Sequence, residues 1–447
     1  MSAKTENLMD LATSLVEYGR KKGAAEVEVA INQGSQFTAV VRNGELETLT
    51  QTGPKTLQLR VFVDNKAAVA SSSDFATATL TGLVDNAIER AKLSGTDPFA
   101  GLPELEKVTV RAEDLKLFDP AVLELPPEKK IAYAKEAEAI GLKQPKVTKS
   151  LGSRFVTVDG SRILVNSKGF RGETRGTTLF AVAAFEAGEG DNLFQDGWFE
   201  GGTSLAKLPP AEVLAKKAAE RVTRLVGARR VETQNVPVIF EPTVASDLLL
   251  GLVSGCVDGA SIDRRQSFLV DKLGQKIGSD LVTIVDDGLM PGGFGSAPFD
   301  SEGVPCRKTT VFDKGVLRSY LLNTYYGRKL KLASTGNADG TTNFYWAAGT
   351  SKPEEILKSV DKGLLLTGTM GLGTDPTTGD ISMGAFGLWI EKGELVFPVA
   401  EITISANLVD ILKGVEMVGN DLVFHDTNNA PTVKVAQMTV GGKSASS

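Results

Sequence analysis

Val27, Val29 and Ile31 alternate with Glu26, Glu28 and Ala30, and further on the pair Asn43-Gly44 separates FTAVVR from ELETLT. A period of two buries one face of a strand, and Asn-Gly supplies the positive-φ positions of a tight hairpin, so this stretch is constrained to antiparallel sheet. LQLRVFV extends the meander and turns at Asp64-Asn65 into AAVASSS. Helices flank it. Leu8, Leu11, Ala12, Leu15 and Val16 recur at helical spacing before the stop at Gly23, and Leu80, Leu83, Val84, Ala87, Ile88 and Ala91 share one helical face. Helix, meander, helix reads as α+β.

The turn-rich SGTDPFAGLPE, Ser94 to Glu104, marks a first boundary. A second unit opens with the helical EKKIAYAKEAEAI, passes through strand candidates SRFVTVDG, SRILVNSKG and TTLFAVAAFEAG, and closes with the helix PAEVLAKKAAERVTRLVG. Gly169, Gly172 and Gly176 read as turns or bulges between its strands. From about Val231 strands and glycines dominate: VPVIFEP, SDLVTIVDDG, a hairpin between Val304 and Leu317, and FGLWIEKGELVFPVAEITISAN, with turns at Asp313-Lys314-Gly315 and Glu391-Lys392-Gly393. One helix interrupts them, in TVASDLLLGLVSGCVDG. The predicted fold is therefore an N-terminal α+β domain over 1–104 and a central α+β domain over 105–230, both with antiparallel sheets. A β-rich C-terminal domain over 231–447 follows. The tail GGKSASS is expected to fray.

Composition then narrows the function. A formal charge of -6 leaves no basic surplus for a phosphate backbone, so nucleic acid is not an expected partner. Asp10, Glu17 and Lys21 interrupt the apolar positions of the first helix, which excludes a signal-peptide core, and no segment reaches the ~18 apolar residues of a membrane span. The chain reads as cytoplasmic. Cys256 and Cys306 are too few and too far apart for a disulfide framework or a metal knuckle and are expected to be reduced core thiols.

The single histidine, His425, is the most informative count. Most hydrolytic sites at neutral pH use histidine as base, acid or ligand, and zinc hydrolases commonly use two of them one helical turn apart. No G-x-S-x-G elbow presents a serine to His425, no phosphate-binding loop is present, and Gly371-Leu372-Gly373 has Pro376 where a third fingerprint glycine would stand. That run reads as loop. A pairing of His425 with Cys256 or Cys306 stays open from sequence, as does chemistry on Asp286, Asp287 and Glu302, although Asp286-Asp287-Gly288 before MPGGFG reads as an exposed turn.

Three stretches carry a resemblance: LLNTYYGRKLKLASTGNA (Leu321 to Ala338), TGDISMGAFGLWIEKGELVFPVAEITISANLVD (Thr378 to Asp410) and PTVKVAQMTVGG (Pro431 to Gly442). Together with GAAEVEV, ASSSDF and DPFAGLP near the start, they resemble the TldD/PmbA peptidase family along nearly the whole chain. The resemblance implies that the family's catalytic branch, TldD, carries an HExxxH helix whose two histidines bind zinc, with a cysteine near the C-terminus as third ligand. On the equivalent helix of this chain Leu250 and Gly255 fall at the histidine positions and Gly251 at the glutamate. His425 is the only donor near the position of the cysteine, among Phe424 to Asp426.

The pattern is similar to the other branch, PmbA or TldE, which lacks the motif and pairs with TldD in degrading unfolded peptides and trimming leader sequences. The resemblance thus implies no metal in this chain, zinc only in a TldD-type partner, a dimer with that paralogue or with a second copy, and extended peptide as substrate. The alternative is a self-sufficient homo-oligomeric peptide-binding module. Asn323, Tyr325, Ser334, Thr335, Gly336 and Asn337 are the expected peptide- or partner-binding residues, because small and hydrogen-bonding side chains let another backbone approach.

Overall fold

Two of the expected strand pairs run on without a break. In the computed structural model, which describes residues 3–190, 192–371 and 373–442, Val27 and FTAVVR belong to one strand, β1 (Glu26–Arg42), after helix α1 (Ala3–Lys21). SRFVTVDG and SRILVNSKG likewise merge into β5 (Val147–Asn166). The reason lies where they cross: Gly34 faces Gly160, and a Cβ on Gly34 would come within 2.3 Å of the Asp159 carbonyl. Removing that atom lets the ladder continue where a side chain would have broken it.

The hairpins at Asn43-Gly44 and Asp64-Asn65 fall as read, joining β1 to β2 (Glu45–Thr52) and β3 (Lys55–Val63) to β4 (Lys66–Ser72). With β6 (Arg171–Glu189) and β7 (Asn192–Gly202) they make a seven-stranded antiparallel sheet in the order β4-β3-β1-β5-β6-β7, with β2 also on β1. Strands from both sides of the stretch 94–104 therefore share one sheet. Gly169 turns the β5–β6 hairpin with φ 97°, but Gly172 and Gly176 are neither turns nor bulges. Both sit in regular pairing, and Gly172 makes room for the Phe299 ring, 2.6 Å from where its Cβ would be.

Odd-numbered residues of β1 and β5 face two helical layers. Helix α1 and α2 (Thr77–Leu93) cover Val27, Val29, Ile31, Ile163 and Val165. Past α3 (Pro120–Glu124), helices α4 (Pro127–Leu142) and α5 (Ala211–Thr223) cover Val41, Phe155 and the alternating Leu179, Ala181, Ala183 and Phe185 of β6. The opposite face, through Ala30, Leu164 and Phe170, meets Phe299.

The C-terminal region holds two more sheets around the largest core. One joins β9 (Ile284–Asp287), β10 (Lys308–Asp313), β11 (Val316–Leu317), β12 (Phe344–Trp346) and β18 (Asn428–Asn429). The other joins β8 (Gln234–Phe240), β13 (Lys362–Met370), β14 (Thr374–Asp375), β15 (Asp380–Glu391), β16 (Glu394–Asn407), β17 (Val415–Val418) and β19 (Val433–Gly441). Lys314 and Lys392 adopt φ of 46° and 52° in the two expected hairpin turns. The architecture is α+β with a β-rich C-terminal region. No helix of the described residues is long and apolar enough to cross a membrane. Leu372 and, from residue 443 on, the tail expected to fray lie outside the described residues.

The crossing gives a paired expectation. Gly34→Ala should destabilise by roughly 2–3 kcal/mol, because backbone must move, whereas Gly160→Ala, with nothing within 4 Å of its Cβ, should change stability by less than ~0.5 kcal/mol in urea unfolding.

Candidate functional site

The helix on which the resemblance places the zinc motif begins where β8 ends. Glu241 and Pro242 start it, and residues Pro242–Val244 are α-helical. Ala245–Leu250 widens to π winding, and Gly251–Val257 returns to α. Two residues five apart lie about 140° from each other on an α-helix, so an i, i+5 ligand pair needs wider winding between them to share a face. Here the π turn ends at Leu250, where the motif would begin. Leu250 is fully buried among the core leucines, while Gly255 is exposed with nothing within 4 Å of its Cβ position. Leu250, Gly251 and Gly255 thus offer no donor atom, and two of the positions point apart. Among the described residues no group of three His, Cys, Asp or Glu gathers to hold an ion. The residues do not fit a zinc site, which needs three protein ligands.

Side chains that sequence reading passed over brace this helix. Arg224 grips the Glu241 carboxylate with two hydrogen bonds of 2.6 and 2.8 Å. Arg221 reaches Glu241 and Asp196, each at 3.2 Å, and donates to the Thr367 carbonyl at 3.4 Å. Burial alone would raise Glu241, but the Arg224 hydrogen bonds and the charges of Arg224 and Arg221 hold it below the usual carboxylate range. The Arg221 guanidinium also packs on Trp198, which with Pro242, Leu357 and Ile239 walls a cleft of about 410 Å³. The one available signal was the spacing of Arg221 and Arg224, i and i+3 on an amphipathic helix.

His425 stands beside this cleft. Its ring meets Trp198 edge-on at 5.6 Å, and Nδ1 lies 3.7 Å from a Glu200 oxygen whose carboxylate also accepts from the Trp198 indole. Nearby, desolvation and then the like charge of Asp426 raise Asp247 on the solvent side of the π turn, with Arg221 opposing. Both cysteines are free and buried, and desolvation pushes Cys256 up to about 11 and Cys306 to about 12, so neither supplies a thiolate at neutral pH.

The STGNA residues lie elsewhere and look inward. Ser334 and Thr335 hydroxyls both donate to the Leu322 carbonyl, and Leu322 N–H donates back to Thr335 at 2.7 Å. Gly336 has φ 76°, with the Pro305 carbonyl 2.4 Å from its Cβ position. Asn337 donates to Asp286 at 2.7 Å. Asn323 caps the helix Thr324–Leu330 by accepting from Tyr326 N–H, and Tyr325 packs edge-on against Phe99. On the same helix Arg328 donates to the Phe99, Gly101 and Leu102 carbonyls, tying down the stretch 94–104.

The expected exposed turn at Asp286-Asp287 is instead strand β9, because Asp286 is 1% exposed and its carboxylate accepts from Thr342 N–H, the Thr342 hydroxyl and Asn337. Asp300 accepts from Glu302, Val304 and Ala338 N–H groups, yet burial, aided by the charge of Glu302, pushes it up to about 7. Glu302 itself accepts from Thr324 N–H and pairs with Arg60. Asp287 pairs with Lys308 at 3.3 Å and accepts from Leu289 N–H, so Asp286, Asp287 and Glu302, together with Asp300, are all engaged in holding the fold.

Family profiles match the chain in three stretches: PmbA/TldA metallopeptidase domain 1 over 27–91, the central domain over 120–226 and the C-terminal domain over 233–442. Metalloprotease PmbA of Escherichia coli is 33% identical over 426 residues, 95% of this chain and 93% of that protein. A crystal structure from Bacteroides thetaiotaomicron, described as a modulator of DNA gyrase, superposes with a TM-score of 0.91 at 26% identity, covering 99% of this chain and 100% of that one. TldE from Thermococcus kodakarensis, at 21% identity, shares the fold with a TM-score of 0.86 over 96% of this chain and 99% of that one.

Two measurements check the electrostatics. Arg221→Met leaves Asp196 unpaired and should cost roughly 2–4 kcal/mol in urea unfolding. An unfolded aspartate titrates near 3.9, so the stability that protonated Asp300 contributes is complete below that pH and lost as pH rises through about 7. Unfolding free energy should therefore fall by ~2–3 kcal/mol more between pH 5 and 7 in the wild type than in Asp300→Asn.

Proposed function

The chain belongs to the PmbA/TldD metallopeptidase family, and from that premise we propose that it is the metal-free subunit of a two-subunit cytoplasmic peptidase. The observation that carries this reading is the helix of Leu250, Gly251 and Gly255, where one ligand position is buried and neither glycine has a side chain. A peptidase of this class needs a metal to polarise the carbonyl and a carboxylate to activate water. This chain supplies neither at those positions, so turnover requires a zinc-bearing TldD-type relative, with which it forms a dimer and encloses extended peptide. Degradation of unfolded peptides or maturation of leader-bearing ones is the proposed reaction.

What this chain's own residues do in that assembly is positional. The Arg224–Glu241–Arg221 brace fixes the start of the helix. The exposed Gly255 leaves the outer face of the helix flat, so that another chain can lie against it.

After dialysis against a mild chelator the purified chain should hold less than about 0.1 zinc per chain by elemental analysis, since two or fewer donors bind the ion weakly. Peptide turnover should appear only when a zinc-bearing relative is added and should co-elute with the mixed dimer on size exclusion. Stoichiometric zinc, or hydrolysis by the isolated chain that survives repurification, would overturn the reading. A stable homodimer that ignores the relative but binds peptide would favour the self-sufficient module.

A further inference from the structure

Strand β2 buries nothing. All eight of its residues are exposed, among them Leu46 at 38% and Leu49 at 51%, and it pairs with β1 alone. Strand β4 stops at Ser72 opposite Leu57, so among the described residues no strand lies along the outer edge of β2. A strand that adds no burial is expected to open readily. This one is held. The Glu138 carboxylate, 1% exposed on α4, accepts from Asn43 N–H at 2.9 Å and Gly44 N–H at 2.7 Å in the β1–β2 turn, and Arg42 pairs with Glu47 at 3.5 Å across the hairpin.

Proteins blunt such an edge with lysine, proline, a bulge or an inward charge. Here a bulge at Glu47 serves only the turn end, where Val40 faces Thr48 and Val41 faces Leu46. From Thr48 to Thr52 the edge reads Thr-Leu-Thr-Gln-Thr, neutral throughout and β-branched at every second position. An edge kept in place, uncharged and unblunted is one that another strand covers.

The edge itself says which strand. Facing residues of an antiparallel pair share one face of the sheet, so a twofold axis between two such edges must pass through a residue. Placed at Leu49, the axis sets Leu49 against the partner's Leu49, Thr48 against the partner's Thr50 and Glu47 against the partner's Gln51. Moved to Thr48, it drives Leu49 against the partner's Glu47, and at Glu47 it opposes two carboxylates. Leu46 and Leu49 lie opposite Val41 and Ala39, on the face where Val41 packs under α4, so a leucine pair extends that apolar layer across the junction.

We propose that β2 is the docking edge for a second copy of this chain, the two β2 strands pairing antiparallel about Leu49 into one continuous sheet. The contact is additional to the mixed dimer proposed above. A pair of eight-residue strands falls short of the roughly 1,200 Å² of a stable interface, so the association should be weak, with a Kd of about 10–100 µM.

Analytical ultracentrifugation of the full chain without its zinc-bearing relative should show a monomer–dimer equilibrium in that range, with hydrogen-exchange protection of the Thr48 to Thr52 amides rising in step. Leu49→Lys and Leu49→Glu each place like charges on the axis and should weaken self-association by at least about 10-fold, with the urea midpoint kept because the side chain is exposed. Mixing the two variants should restore a dimer to within about threefold of wild type, a rescue that requires the two positions to face each other. If a Leu49 variant unfolds, Thr48→Lys combined with Thr50→Glu takes its place, and the same register then predicts a dimer about threefold tighter.

A chain that stays monomeric up to about 1 mM, or a dimer unmoved by these variants, would overturn the proposal. Protection of the same amides by an added unstructured peptide with no dimer formed would give the edge to peptide instead. Loss of the zinc-bearing relative from Leu49→Lys, with self-association unchanged, would give it to the mixed dimer. Zinc-partner-dependent turnover is measured separately, so the subunit reading stands or falls apart from the edge.

Discussion

Two carboxylates that cannot reach water organise the C-terminal half of this protein. Asp286 and Asp300 are 1% and 3% exposed, and each accepts from at least one donor of another segment. Asp286 collects Thr342 and Asn337, and Asp300 collects Ala338 with its own turn at Glu302 and Val304. A buried polar group is tolerable only when hydrogen-bonded, so these carboxyls fix loop geometry far more strictly than an apolar core alone would. The turn that Asp300 shapes places Glu302 against Arg60 of β3, and Arg60 against Glu28 of β1. Loop, C-terminal region and first sheet are thereby connected through one polar chain.

Local signals were the legible part of this fold. Asn43-Gly44, Asp64-Asn65, Asp313-Lys314-Gly315 and Glu391-Lys392-Gly393 all became hairpin turns, because the positive φ they need is a property of the residues themselves. The helices of residues 8–16 and 80–91 were equally plain, since one apolar stripe decides each. Pairing across the sheet was not legible. Gly34 looks like a strand break until Asp159 is placed beside it, and Gly172 looks like a bulge until Phe299 fills the space it leaves.

The site was legible by subtraction only. One histidine in the whole chain excludes a two-histidine zinc helix, and that much needs no structure. The π turn over Ala245–Leu250 could not be read, because π winding has no composition signature distinct from that of an α-helix. The STGNA residues show the opposite difficulty. Small polar side chains suit a binding loop and a pinned scaffold loop equally, and only the direction of their hydrogen bonds, toward Leu322 and Asp286, separates the two.

Such a loop still bears on distant parts of the fold through what it holds. Asn337 and Ala338 are fixed by the aspartates, Asp339 is thereby set with one oxygen accepting from Ser301 N–H, and its other oxygen lies 3.7 Å from Arg162. At 3.7 Å and more than half exposed, Asp339 is too distant and too well hydrated to neutralise Arg162 fully. The scaffold therefore keeps a guanidinium in place without satisfying it. The Nε of Arg162, like those of Arg60 and Arg224, is buried without a partner, whereas that of Arg221 donates to Asp196. Arg221 with Asp196 and Arg162 with Asp339 are thus two grades of one device, a guanidinium tied to a carboxylate of a distant segment, tight where both partners are buried and loose where the carboxylate reaches solvent.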